Sequence, residues 1–413
     1  MERFKRKSID MMKGITKEKI LNMSIYCIYI ISYLILVRFF EKREALSDLK
    51  HYILLICLAV SGFILIFKLI EKNIKLKGNN IIYILLVGGI FIILSLIKMI
   101  DSEERFQIRS LVQTFLFVGP LLYAFVLINL FSKEDIIVLL KITTFIFIIF
   151  YFTEKNHTIG EFFKIANWRA INIVNFYGFI ESHICSESFL QLFLFFYYIK
   201  YYKKDMKVKN INLYIFLNGV FTILSFKRLA ILLVIAIIIG RRFIEYDKEI
   251  SKKKSKLIYI FLPIAFVIMT ILYTHLLSGD IKTSININKF STNRDWLLSL
   301  WRANNYYSYG YGTSIYVIGR YLEMDLIQIY LELGWIPLFL FVFAITKLAY
   351  RRYYSMFIIL YVLFNLLTAS TMPWTTGWLI LGLNLFTISN EKLEIKKGEN
   401  DEKDIINNFS QSK

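Results

Sequence analysis

Apolar runs long enough to enter a bilayer recur along the whole chain, separated by short polar loops. They fall at residues 25–37, 52–67, 81–97, 111–130, 136–152, 190–202, 211–224, 229–240, 257–277, 326–344, 356–368 and 378–387. A hydrocarbon core ~30 Å thick needs about 20 mostly apolar residues per helix, and the flanks bring most of these runs toward that length. Backbone polar groups in lipid must be satisfied within their own segment, so runs of this kind become helices. The pattern predicts an all-α fold: a polytopic membrane bundle of about 12 transmembrane helices with two large extracytoplasmic loops.

Composition agrees. The 413 residues are 57% hydrophobic, 17% aromatic and only 20% charged, with mean hydropathy +0.54. That excludes an ordinary soluble domain. The net charge of +19 on a soluble protein would point to nucleic acid; its placement here does not. With the N-terminus in the cytoplasm, roughly two-thirds of Lys and Arg fall on the inner loops and tails, as the positive-inside rule requires. The basic stretches 3–7, 200–209 and 241–256 therefore read as topology signals and contacts to anionic lipid. The expected organisation is a basic cytoplasmic tail over 1–19, a transmembrane domain over 20–389 and a cytoplasmic tail over 390–413. The first apolar run has no small-residue cleavage site and reads as the first helix. Cys27, Cys57 and Cys185 form no spacing motif, and no metal site is expected.

Two outer loops are long, over 153–188 and 278–325. Neither is low-complexity, and loops of this length in a compact bundle are functional or disordered. Trp296, Leu297, Leu300 and Trp301 share one helical face, which predicts an amphipathic helix at the membrane surface. Outward Arg residues are the leading candidates for chemistry, because topology biases Arg inward. Arg228 sits in a tight turn between two apolar runs. Arg169, Arg294, Arg302 and Arg320 lie in the long loops. A guanidinium is a permanently charged planar fork that binds phosphate oxygens bidentately. Such groups suit a lipid pyrophosphate; the plainer reading is that each reaches lipid headgroups or pairs with a loop carboxylate.

Glu323 and Asp325 lie where the second long loop returns to the membrane. A carboxylate at an apolar boundary can serve as a general base; an ion pair with Arg320, one turn away, is the alternative. Glu332 falls near or inside a run, where a charge is unfavourable and tends to face a cavity. The Tyr-rich stretch 306–311 suits sugar stacking or an interfacial aromatic belt. His183 and Glu181 are weaker candidates, a lone exposed His being more often incidental, and His51, His157 and His275 have no partners at metal spacing. No Walker motif, GxGxxG, HExxH or inner DxD-like pair is present, so energy must come from the substrate or from a gradient.

From about Thr222 onward the order of motifs resembles the O-antigen polymerase and ligase superfamily, whose polymerases are called Wzy-type. A tight outer hairpin carries Ser225 and Arg228. A basic inner loop and one run follow. A large outer loop then holds Arg294 and reaches Gly310, Tyr311 and Gly312, with Arg294 and Gly310 in the R-x15-G spacing of such polymerases. Last comes the return segment from Glu323 to Trp335. The loop around Arg169 is similar more loosely. Met324–Asp325 stands where ligases and some polymerases carry His-Asn, a departure that makes a ligase less favoured. The resemblance implies a GT-C-like fold in the bacterial cytoplasmic membrane. It implies a glycosyltransferase that joins undecaprenyl-pyrophosphate-linked repeat units, donor and acceptor, into O-antigen or capsule, as in capsule or lipopolysaccharide biosynthesis. Catalysis is expected from Arg228 with Glu323 or Asp325. Pyrophosphate or substrate binding is expected from Arg169, Arg294, Arg302, Arg320, Gly310 and Tyr311. No cofactor, metal or nucleic acid is expected; membrane lipid is, and a chain-length regulator protein is a candidate partner. The alternatives are a lipid-linked oligosaccharide flippase, which would concentrate charge inside the bundle, and an O-antigen ligase.

Overall fold

In a medium without water the demand for paired backbone groups overrides the modest helix propensity of Ile and Phe. The computed structural model describes residues 17–40, 49–72, 76–101, 108–154, 182–203, 208–225, 227–281, 294–303, 308–319, 322–349 and 351–389. These are all-helical, with no strand among the described residues beyond one isolated bridge between Glu249 and Arg352. Every apolar run of the sequence falls on helix. The elements are α1 (Lys17–Phe40), α2 (Leu49–Lys72), α3 (Ile81–Asp101), α4 (Ile108–Leu130), α5 (Lys133–Glu154), α6 (His183–Tyr202), α7 (Ile211–Leu224) and α8 (Arg228–Gly240). They continue with α9 (Lys252–Leu277), α10 (Arg294–Ala303), α11 (Thr313–Ile318), α12 (Asp325–Leu333), α13 (Trp335–Leu348), α14 (Tyr353–Thr368) and α15 (Thr375–Ser389).

Six helices among the described residues are long and apolar enough to cross a membrane: α1 to α5 and α9. Helices α7, α8, α13, α14 and α15 are apolar but shorter, between 10 and 17 residues. The protein is a multi-pass membrane protein on this ground. The two terminal tails, apart from the first residues of α1, lie outside the described residues.

Surface pattern supports this placement. On α2, Ile56, Phe63 and Ile70 recur every seventh residue and are 61%, 62% and 75% exposed. Leu54, Leu58, Ser61 and Leu65 form the buried face of the same helix. An apolar outer face with a hydroxyl turned inward inverts the soluble rule and fits a lipid solvent. Hydroxyls in the helices return their protons to the preceding turn. Thr143 donates to the Leu139 carbonyl at 2.8 Å, Thr222 to Asn218 at 2.7 Å and Thr346 to Val342 at 2.7 Å. No polar hydrogen is thereby left facing hydrocarbon at these positions.

Two expectations are revised. The run 326–344 is not one helix: α12 and α13 meet at Gly334, whose backbone lies at φ 102°, ψ 179°. That conformation is open only to glycine, and it breaks the helix within the run. The amphipathic helix of the second loop exists as α10, but its face is shifted. Leu297, Leu298 and Trp301 are buried, while Trp296 is 48% exposed.

The chain divides into two compact units. The first comprises residues 1–76, 119–236 and 375–383. Its centre is aromatic and hydroxylic: Tyr26 and Tyr29 of α1 are fully buried and hydrogen-bond Thr143 at 2.7 Å and Thr375 at 2.9 Å. The second comprises residues 77–118, 237–374 and 384–413. Its centre is a ring cluster of Phe91, Phe117, Tyr311 and Phe341, with centroids 5.1 to 6.0 Å apart.

Candidate functional site

In the second unit, α10 and the return segment share one apolar cluster. Leu277, Leu298, Trp301, Leu322, Met324 and Ile327 pack together, all nearly water-free. Both Leu322 and Met324 point into it, so the intervening residue cannot. Glu323 is exposed and holds φ 59°. A left-handed backbone is uphill by about 1–2 kcal/mol for a residue with a Cβ. Such strain persists where surrounding packing over-determines it, and it gathers at functional sites. The Glu323 carboxylate makes no hydrogen bond or ion pair among the described residues.

Asp325 is two residues away and differently used. Its Oδ2 accepts from the Thr371 N–H at 2.6 Å, the Met372 N–H at 2.9 Å and the Thr371 hydroxyl at 3.1 Å. It is buried at the start of α12. This carboxylate fastens the turn between α14 and α15. Of the two acids expected from sequence to act as base, only Glu323 stands open.

Gly310 and Tyr311 belong to an internal turn. The Tyr311 N–H donates to Ser95 Oγ at 2.9 Å, and its buried ring meets Phe91 at 5.1 Å. The Tyr311 ring is committed to the core rather than displayed for stacking on a sugar. The turn is clamped from below by Glu332, which accepts from the Gly312 N–H at 2.6 Å, the Ser314 N–H at 2.7 Å and Gln328 Nε2 at 3.2 Å. The carboxylate thus serves buried N–H groups at the start of α11 that have no partner within the helix. At Gly310, with φ 113°, an added Cβ would lie 2.7 Å from Ser95 Cα. Gly310→Ala is expected to lower stability by about 2–4 kcal/mol, read by thermal unfolding in detergent. A loss below about 0.5 kcal/mol, the usual range for an indifferent surface change, would contradict this packing.

The arginines of the second unit differ in availability. Arg302 grips Asp280 with both fork nitrogens, at 2.8 and 3.3 Å, and reaches the Ser278 carbonyl at 3.2 Å. His275 Nδ1 lies 3.0 Å from the same carboxylate. Arg302 first, and His275 second, hold the Asp280 carboxyl down to about 2. Arg302 therefore ties the end of α9 to α10. Arg294 opens α10 and is partly buried. Arg169 and Arg320 lie outside the described residues.

In the first unit, three ring contacts set α6 beside α7. Phe189 stacks on Phe221 at 5.0 Å, Phe196 stacks on Tyr214 at 5.2 Å, and Phe193 fits against Gly219. Ser182 caps α6 by accepting from the Cys185 N–H at 3.1 Å. These contacts bring Glu187, one turn into α6, to the turn that follows α7. There Lys227 Nζ meets Glu187 Oε1 at 3.1 Å, with the side chains only 12% and 9% exposed. Ser225 is buried and returns its hydroxyl to the Thr222 carbonyl at 2.8 Å. Arg228, the next residue after Lys227, begins α8. It is exposed and makes no hydrogen bond or ion pair among the described residues. One turn therefore offers a secured cation and an open one side by side.

Sequence reasoning missed Glu187 and Lys227. Each reads as an ordinary loop or helix-end charge, and 40 residues separate them. The signal that was available is the polarity of α6: Ser186, Glu187, Ser188 and Gln191 all sit in an apolar helix, and all are buried. Among the described residues, no group of His, Cys, Asp and Glu is placed to hold a metal ion. The chain matches no protein-family model, no curated protein and no solved structure.

Proposed function

We propose that this chain polymerises undecaprenyl-pyrophosphate-linked oligosaccharide repeat units into O-antigen or capsular polysaccharide. It works on the outer face of the bacterial cytoplasmic membrane, through a GT-C-like bundle that crosses about 12 times. An acceptor hydroxyl oxygen bonds to the anomeric carbon of the growing chain. The bond from that carbon to the pyrophosphate oxygen breaks, and undecaprenyl pyrophosphate leaves with the electron pair. The hydroxyl proton passes to a carboxylate. The observation that carries this function is the turn at Arg228: an exposed, uncommitted guanidinium at a helix start, next to a lysine already in place. An exposed guanidinium with no partner among the described residues is open to phosphate oxygens and to the charge that develops on a departing pyrophosphate. Glu323 is assigned as the base because its carboxylate is open, whereas that of Asp325 is engaged on three donors.

A deletion strain tests this against transport. Loss of a polymerase leaves single repeat units on lipid at the outer face. Units trapped at the inner face would show a flippase instead. A membrane-impermeant glycan label applied to intact cells separates the two results.

A further inference from the structure

The Lys227–Glu187 pair is unusual in its setting. An ion pair this little exposed, in a chain built for lipid, gives up hydration that its mutual attraction only partly returns. Ionisable groups in membrane helices face functional paths far more often than they serve stability. The turn also has backbone and ring contacts of its own. Ser225 ends α7 through its backbone N–H to the Phe221 carbonyl at 3.0 Å, and the rings of α6 and α7 already fix the two helices. The pair stands immediately before Arg228, and Glu187 is backed by Gly377, whose added Cβ would meet the Glu187 Cβ at 3.4 Å. Lys227, on a flexible stem, is the partner that can move.

We infer that Lys227 is a second cation for the diphosphate bound by Arg228, and that Glu187 is a positioning residue that competes for it. The ligand class is a polyprenyl diphosphate, and the inference rests on the pyrophosphate chemistry proposed above. When a diphosphate arrives, Lys227 exchanges the Glu187 carboxylate for phosphate oxygen. When the glycan has been transferred, Glu187 takes Lys227 back and the lipid diphosphate is released. No covalent change accompanies the exchange.

The test is equilibrium binding of farnesyl pyrophosphate, with farnesyl monophosphate as comparison, to the full chain in lipid nanodiscs. Glu187→Gln removes the competitor and is expected to tighten diphosphate binding about tenfold. It should lower KM and kcat together in polymer synthesis, since the leaving lipid is held longer. Lys227→Gln is expected to weaken diphosphate binding about tenfold and to affect the monophosphate less. The double variant should bind no more tightly than the wild type. If E187Q leaves diphosphate affinity unchanged or weaker while Arg228→Ala still lowers it, the exchange is wrong and the polymerase proposal stands. If R228A also leaves affinity unchanged, the pyrophosphate role of the turn fails altogether. Should E187Q not fold, K227Q decides: unchanged affinity overturns the inference.

Discussion

Arg228→Ala is expected to abolish long-chain polymer while membrane-inserted protein stays at the wild-type level. Two features of the structure separate those effects. Arg228 is exposed at the start of α8 and engages no neighbour among the described residues. Truncating such a side chain changes stability by about 0.5 kcal/mol or less. If Arg228 binds the leaving pyrophosphate as proposed, removing that donor is expected to slow the chemical step by about 10²–10³-fold. Arg228→Lys keeps the charge but loses the bidentate fork, so it recovers only part of the rate. The glycolipid ladder on a gel, beside the amount of protein in the membrane fraction, reads both quantities. Long chains persisting in the Arg228→Ala strain would remove Arg228 from the mechanism.

With Glu323 as the proposed base, Glu323→Gln is expected to give the second large effect. General-base assistance contributes about 10²–10⁴-fold, and the amide cannot supply it. The substitution keeps size and polarity at an exposed position, so thermal unfolding in detergent should not move. Glu323→Gly goes further, since it relieves the left-handed backbone and stabilises by about 1 kcal/mol while still losing activity. Asp325→Ala behaves in the opposite way. It strands the buried N–H groups of Thr371 and Met372, which hydrogen-bond its Oδ2 at 2.6 and 2.9 Å. Each buried donor left unmatched costs about 1–3 kcal/mol, so this variant loses stability first. Full activity in E323Q, or an unchanged melting temperature in D325A, would contradict the division of labour between the two acids.

Hydropathy located the helices well, because the constraint it reports is local: each backbone group in lipid must pair within its own segment. The break at Gly334 was hidden for the same reason. Hydropathy averages over side chains and does not see φ, so Gln328, Glu332 and Gly334 did not divide the run from 326 to 344. The buried face of α10 differed at Trp296, where the sequence periodicity fitted one more residue than the cluster around Leu298 and Trp301 admits. Exposure was legible where position alone set it, as with Arg228, which stands exposed beside its tight turn. A residue's role was illegible where a contact across the fold decides it. Nothing near Asp325 in sequence announces Thr371, and nothing near Lys227 announces Glu187. Tyr311 shows the converse: a tyrosine in an aromatic stretch suggested display, while the fold places it against Phe91.

The proposed function requires Arg228 and Arg294 each to face the outside of the cell, where a lipid diphosphate carrying its glycan would meet them. The direct measurement starts from a chain in which Cys27, Cys57 and Cys185 are replaced. Arg228→Cys and Arg294→Cys are then labelled one at a time in intact cells with a membrane-impermeant maleimide. Both positions should label without permeabilisation, to the extent of a cysteine at a known outer position. Labelling that needs the membrane to be opened would place these residues on the cytoplasmic side and contradict the proposed function at its base.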